Sequence, residues 1–205
     1  MFIVIENMEE GVSRWLIEEY LESIRVAREA GVEIVFTNIR DPSLKSILAS
    51  EGALVYEVEG WRLFNRTDTI VLDPQAPRRL EPWEARMAYC IVVGGIMGDH
   101  PPRGRTLLIS SMYTNSAKRN LGPNQLSVDG AVKVALRIAK GARLDEIPLS
   151  KPPARLRVRT LMGEIQIELP YSYPLREDGT PDIAPGVVKL LERGIAWDES
   201  LEEGI

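Results

Sequence analysis

Two stretches of the chain hold residue types able to shape a ligand pocket. The first is Gly94-Gly95-Ile96-Met97-Gly98-Asp99-His100-Pro101-Pro102-Arg103-Gly104-Arg105-Thr106, which follows the most apolar run in the sequence. In an open α/β sheet, the loop leaving the C-terminal end of a central strand is where ligands sit. A dinucleotide-binding loop is excluded here. The glycine spacing is wrong, and such a loop must run straight into a helix whose N-terminus holds the pyrophosphate. Pro101-Pro102 cannot be helix interior. The next apolar run, Leu107-Leu108-Ile109, reads as a strand, so the loop is expected to join strand to strand, its glycines serving close backbone approach. The second stretch, Ser110 to Pro123, is long and polar, and a structureless loop of that length in a compact domain is usually functional. The bland alternative is a pair of ordinary turns.

The elements that must position these loops follow from the hydrophobic pattern. Phe2-Ile3-Val4-Ile5 reads as a buried strand and Ser13 to Ala30 as a helix, with Leu16, Tyr20, Ile24 and Ala27 at helical spacing and Gly31 as its stop. Val32 to Phe36 is a second strand, and Asp41-Pro42-Ser43 opens a second helix with proline in the first turn. Strands are expected around Ala53 to Tyr56, over Thr69 to Leu72, and over Met87 to Val93, which is apolar on both faces as a central parallel strand should be. Asn124 to Lys140 carries a helical stripe of Ala131, Val134, Ala135 and Ile138. Strands alternating with helices imply an α/β layer fold with a mostly parallel sheet flanked by helices. Beyond Ile147 the texture changes. Arg155, Arg157 and Arg159 alternate with Leu156 and Val158, and Glu164, Gln166 and Glu168 with Ile165 and Ile167. These read as a hairpin turning near Met162-Gly163, with arginines facing glutamates. A short helix around Pro185 to Arg193 and an acidic tail from Glu199 follow. The expected division is residues 1–147 as the α/β domain and 148–205 as a C-terminal extension.

Composition excludes several classes. With 205 residues, 44% hydrophobic and 27% charged, the chain is globular rather than disordered. One cysteine, Cys90, and one histidine, His100, rule out an internal disulfide, a thiolate cage and a multi-histidine zinc site, so no metal is expected. Cys90 reads as core packing, and His100 as either a proton acceptor or a loop-fixing group. No apolar run approaches the roughly 18 residues of a membrane span, and the expectation is a soluble, cytoplasmic protein. Net charge is −5, but residues 100–160 carry 12 basic and 3 acidic side chains between acidic flanks. That fits either an anionic ligand or partner at the centre, or internal pairing.

The first glycine stretch, together with Arg119-Asn120-Leu121-Gly122-Pro123-Asn124-Gln125, resembles the knotted SPOUT methyltransferases. The opening Glu6-Asn7-Met8-Glu9-Glu10-Gly11, with Trp15 and Glu19-Tyr20, is similar to one subgroup. That subgroup was described as predicted RNA methyltransferases and contains a fungal protein-arginine methyltransferase acting on a small-subunit ribosomal protein. The chain departs from the subgroup at Asn7, where a histidine is usual, and at Gly104, where an acidic residue is usual. The resemblance covers nearly the whole chain. It implies a trefoil knot through about Met87 to Lys140 and an S-adenosylmethionine pocket between the two loops. That role falls on Leu72, Asp73, Gly94, Gly95, Gly98, Leu121, Gly122 and Gln125. It also implies action as a monomer or a homodimer.

Methyl transfer from a sulfonium asks the protein mainly to position a nucleophile and manage one proton. If the acceptor is an arginine, carboxylates should grip the guanidinium fork. The candidates are Glu9 and Asp99, then Glu6 and Glu10, although Glu9 and Glu10 could merely favour a helix N-terminus. If the acceptor is RNA, phosphates should meet Arg103, Arg105, Lys118 and Arg119 on one open face. A ribosomal substrate could use both sets. A third reading is a cofactor-binding ribosome-assembly module without turnover.

Overall fold

Six short apolar runs pair into one parallel sheet, β1 (Phe2–Asn7), β2 (Glu33–Thr37), β3 (Leu54–Val55), β4 (Thr69–Leu72), β5 (Cys90–Gly95) and β6 (Ala117–Arg119), in the order β3-β2-β1-β5-β4-β6. The computed structural model describes residues 1–98, 104–160 and 163–194. β1 and β5 are central, so Ile3 to Ile5 and Cys90 to Val92 are wholly buried, as strands covered on both faces must be. Their ends lie side by side, with Glu6 opposite Gly94 and Asn7 opposite Gly95. The loops after β1 and β5 therefore emerge together at the C-terminal edge, where the strand order changes direction.

Helices α1 (Arg14–Glu29), α2 (Pro42–Ser50) and α6 (Val128–Ala139) share a core with one face of the sheet; α3 (Trp61–Phe64) and α5 (Thr106–Met112) lie against the other, and α4 (Pro82–Met87) packs beside α6. α1 starts where the Ser13 hydroxyl accepts the Leu16 amide at 3.1 Å and ends before Gly31, whose φ of 69° suits glycine. Its buried stripe includes Leu16, Tyr20, Ile24 and Ala27. α2 has Asp41 as cap and Pro42 in its first turn.

Several boundaries differ from expectation. Leu107-Leu108-Ile109 is not a strand but the first turn of α5, in which Ile109, Ser110 and Tyr113 face the sheet and Leu107 and Leu108 face solvent. Three consecutive apolar residues carry no period, so pattern alone could not separate the two. The loop from β5 thus leads into a helix. Met87 closes α4 rather than opening the central strand, which begins at Cys90. α6 begins only at Val128, capped by Ser127, and residues 124–126 stay outside the helix. Strand β6 and helices α3 and α4 went unforeseen because each is only a few residues long.

The C-terminal region contains β7 (Ala154–Thr160) and β8 (Gly163–Leu169), paired antiparallel, and α7 (Pro185–Glu192). Arg155 faces Glu168 and Arg159 faces Glu164, as expected, and Arg155 Nε lies 3.0 Å from the Glu168 carboxylate. Of the turn expected near Met162-Gly163, Met162 lies outside the described residues and Gly163 opens β8; His100 and the tail from Glu199 also lie outside them. Ala154, Val158, Leu169, Tyr171, Tyr173, Ile183, Val187 and Leu191 bury together with Trp15 of α1. The change of architecture near residue 147 therefore leaves the two parts sharing a core.

Candidate active site

The ends of β4 and β5, the start of α5 and the segment between β6 and α6 enclose a cavity of about 270 Å³, near the lower end of the roughly 300–1,000 Å³ typical of small-molecule sites. Leu72, Asp73, Pro74 and Gln75 form one side; Val93, Gly94, Ile96 and Gly98 a second; Gly104, Arg105 and Thr106 a third; and Leu121 through Val128, with Ala131, the last. Both stretches singled out from sequence thus reach one cavity.

Each wall is held by hydrogen bonds that leave it little freedom. Asp73 is buried, and its two carboxylate oxygens accept the Gln75 amide at 2.9 Å and the Ser110 hydroxyl at 2.6 Å, tying the end of β4 to α5. Asn120 donates to the Ala76 carbonyl at 2.7 Å and accepts the Gly122 amide at 3.0 Å, which bends the chain into the far wall. Tyr171 donates to the Gly98 carbonyl at 2.8 Å, and the Ser172 amide donates to the Gln125 carbonyl at 2.8 Å. The residues after β8 therefore clamp two facing walls. A Cβ on Gly98 would collide with the Gln125 amide and would lie 2.6 Å from the Tyr171 ring, so only glycine fits there.

Gly95 does not line the cavity, contrary to expectation. In a strand, neighbouring residues point to opposite faces. Gly94 borders the cavity and a Cβ there would point at Ile109, while Gly95 turns toward α1, where a Cβ would strike the Tyr20 hydroxyl and sit 3.0 Å from Ile5. That hydroxyl donates to Asn7 Oδ1 at 2.8 Å, and the Asn7 amide nitrogen donates to the Glu9 carbonyl at 3.0 Å. Asn7 thereby fixes the loop that carries Glu9.

The four candidate carboxylates separate in space. Glu9 does not itself line the cavity but is held against residues beside its wall, with Oε1 accepting the Met97 amide at 2.8 Å and lying 3.0 Å from Nη1 of the cavity-lining Arg105. Arg105 also donates to the Met97 carbonyl. Glu6 does not reach the cavity. It is buried on the face of the sheet that carries α3 and α5, where one oxygen accepts the Thr37 hydroxyl and the Gly60 amide, each at 2.6 Å. Burial raises its pKa, with those two bonds opposing. It is a structural carboxyl joining β1, β2 and α3. Glu10 is exposed beside Glu9. Asp99 and Arg103 lie outside the described residues.

Among the described residues, the basic side chains are not arranged as one open face. Arg119 Nε lies 2.9 Å from both oxygens of Glu84, and Lys118 donates to the Tyr113 and Ser116 carbonyls. Arg119 and Lys118 are thus engaged within the fold, while Arg103, expected to join them and Arg105 in a phosphate-binding face, lies outside the described residues. Cys90 is buried, with its thiol pushed up to about 11 by burial, consistent with packing rather than reactivity. Among the described residues no cluster of His, Cys, Asp and Glu could hold a metal. No helix among them is long and apolar enough to cross a membrane. Tyr171 and Ser172 had no sequence signal, since their role depends on the hairpin returning the chain to the cavity.

The family model described as "Protein arginine N-methyltransferase SFM1-like" matches residues 2–197. The chain belongs to that family. Protein arginine N-methyltransferase SFM1 of Saccharomyces cerevisiae is 28% identical over 219 residues, covering 99% of each chain. The crystal structure of the yeast enzyme complexed with SAH superposes with a TM-score of 0.80 at 27% identity, over 93% of this chain and 94% of that one. Trm10 from Thermococcus kodakaraensis shares the fold, with a TM-score of 0.58 at 13% identity over 71% of this chain and 96% of that one.

The cavity fits an adenosyl cofactor. Leu72, Val93, Leu121, Leu126 and Val128 give it apolar walls for a purine, the glycines expose backbone polar groups, and Asp73 adds a carboxylate. Its floor at Gly98 leaves no room for a side chain.

Proposed function

We propose that the protein is an S-adenosylmethionine-dependent methyltransferase that modifies a guanidinium nitrogen of an arginine in a ribosomal protein, in the cytoplasm. When bound, the cofactor supplies a sulfonium-activated methyl group. The residues of this chain bind, orient and exclude water. Leu121 and Leu126 flank the purine space, and the Gly94–Gly98 backbone leaves room beside them. Glu9, fixed by the Met97 amide, offers a carboxylate to the incoming guanidinium and lowers the cost of holding that cation beside a cavity. The carrying observation is that carboxylate paired with the guanidinium of Arg105, a residue that lines the cavity. Two features of the relatives support the reading. The yeast enzyme is named an arginine methyltransferase, and it was crystallised with SAH, which is what remains of the cofactor once its methyl has gone. The knotting expected between Met87 and Lys140 belongs to the same reading, because that segment contributes most of the cavity walls.

The test is transfer of radiolabelled methyl groups into a ribosome-containing lysate, followed by protease or ribonuclease and by amino-acid analysis. Label lost with protease and recovered as methylarginine is expected. Label that survives protease and disappears with ribonuclease overturns the proposal.

A further inference from the structure

A protein that methylates arginine faces a difficulty beside its own cavity. The carboxylate best placed for a substrate guanidinium already holds one. Glu9 Oε1 accepts the Met97 amide at 2.8 Å and sits 3.0 Å from Arg105 Nη1, while Arg105 closes the ring by donating to the Met97 carbonyl. One carboxylate, one amide and one carbonyl thus make a cradle matched to a planar cationic fork. Met97 lies between Ile96 and Gly98, both on the cavity wall, and Arg105 itself lines the cavity. Neither partner is deeply buried, with side-chain exposures of 29% for Arg105 and 20% for Glu9. An ion pair that still reaches solvent contributes modestly to stability, so the Glu9–Arg105 contact itself costs little to exchange for another guanidinium. The Met97 amide holds Glu9 independently of Arg105.

We infer that Glu9 and the Met97 peptide form a guanidinium subsite, and that Arg105 occupies it in the free protein as an internal competitor that a substrate arginine displaces. This rests on the arginine reading above and names the subsite within it. Arg105 then serves two states. Before substrate arrives, it keeps the Glu9 carboxylate from standing uncompensated. After displacement, its charge stays near the cavity and disfavours a second cation.

The experiment is a titration of the full chain, saturated with S-adenosylhomocysteine, with N-ethylguanidinium, followed by NMR. It needs no turnover. Arg105→Met should bind the probe about three- to tenfold more tightly than the parent, as expected when a competing partner of ordinary strength is removed. Adding Glu9→Gln to that variant should abolish the gain. Arg105→Lys, which keeps the charge but not the fork, should fall between the two and serves if the methionine variant folds poorly. Equal or weaker probe binding by Arg105→Met or Arg105→Lys overturns the inference, because it makes Arg105 a strut rather than an occupant. So does unchanged tight binding after Glu9→Gln. Failure of methyl transfer to ribosomal protein, with the titration behaving as stated, refutes the enzymatic reading and leaves the subsite standing.

Discussion

Glu19 offers the sharpest test of how the pocket is held. It lies wholly within the protein, and its carboxyl accepts the Trp15 indole N–H at 2.8 Å and the Val128 amide at 2.9 Å. Val128 opens α6 and lines the cavity. Around it stand Asp129 and Lys133 of α6, with Glu22 on α1 and Asp182 from the C-terminal region pairing to the same lysine. Burial is the largest influence and Asp129 adds to it, pushing the Glu19 pKa from 4.5 to about 8, while the two N–H donors and Lys133 oppose. The folded protein therefore binds more protons here than the unfolded chain between those two values. Stability must fall as pH rises through that window and level off above it. At about 1.4 kcal/mol per pH unit, the loss reaches several kcal/mol, shared with Asp129, whose pKa burial also raises. Glu19→Gln removes the titration, but an amide has one acceptor oxygen for two donors, so one buried N–H goes unpaired at about 1–3 kcal/mol. The variant should be less stable than the parent at pH 5 and more stable at pH 9, the curves crossing between about pH 5 and 7. Calorimetric or denaturant melts across that range measure it directly. A variant less stable at every pH would refute the reasoning, since it would mean the folded state favours the carboxylate.

Three further outcomes follow from other contacts. Tyr171→Phe loses the bond to the Gly98 carbonyl while keeping the ring; S-adenosylhomocysteine affinity should fall about fivefold, for about 1 kcal/mol, with little change in melting temperature, and calorimetric titration checks both. Lys133→Met strips the cation from Glu22, Asp129 and Asp182, all within 3.3 Å of its ammonium. The uncompensated acids should cost about 3–5 kcal/mol, read by urea denaturation near neutral pH, with partial recovery in acid. Gly95→Val drives a side chain toward Tyr20 and Ile5; it should destabilise the fold measurably, whereas Gly98→Ala should weaken cofactor binding with a smaller loss of stability.

The long amphipathic elements were legible because period and caps agree. Ser13 and Gly31 bracket α1, Asp41 and Pro42 open α2, and the alternating Arg and Glu residues placed β7 against β8 in register. Short elements were not. β6 spans three residues and α3 four, fewer than one period needs to declare itself. The run at Leu107 misled for a related reason. An apolar triplet fits a strand, yet here the two leucines are left in solvent and only Ile109 turns inward. Which leucines face water is decided by what lies across the sheet, and no local window contains that.

The site divided along the same line. That the two glycine-bearing loops meet could be anticipated, because strand ends and a fold resemblance both point to one edge. Which side chains reach the cavity could not, because that depends on what packs against each strand end, which no local window contains. Gly94 and Gly95 are adjacent and chemically identical, yet one borders the ligand space and the other makes room for Tyr20. Glu6 and Glu9 belong to the same opening motif, yet Glu6 sits on the strand and is drawn under the sheet to Thr37 and Gly60, while Glu9 lies past Asn7, where the backbone has left the ladder and can aim it at Met97. Asn7 is what makes that turn. It accepts from Tyr20, donates to the Glu9 carbonyl, and receives the Asn38 amide on its own carbonyl at 2.7 Å. Tyr20 needs the space that Gly95 leaves open. The glycine assigned to the cofactor thus acts on the site through the carboxylate, by letting one hydroxyl reach the residue that sets the direction of Glu9.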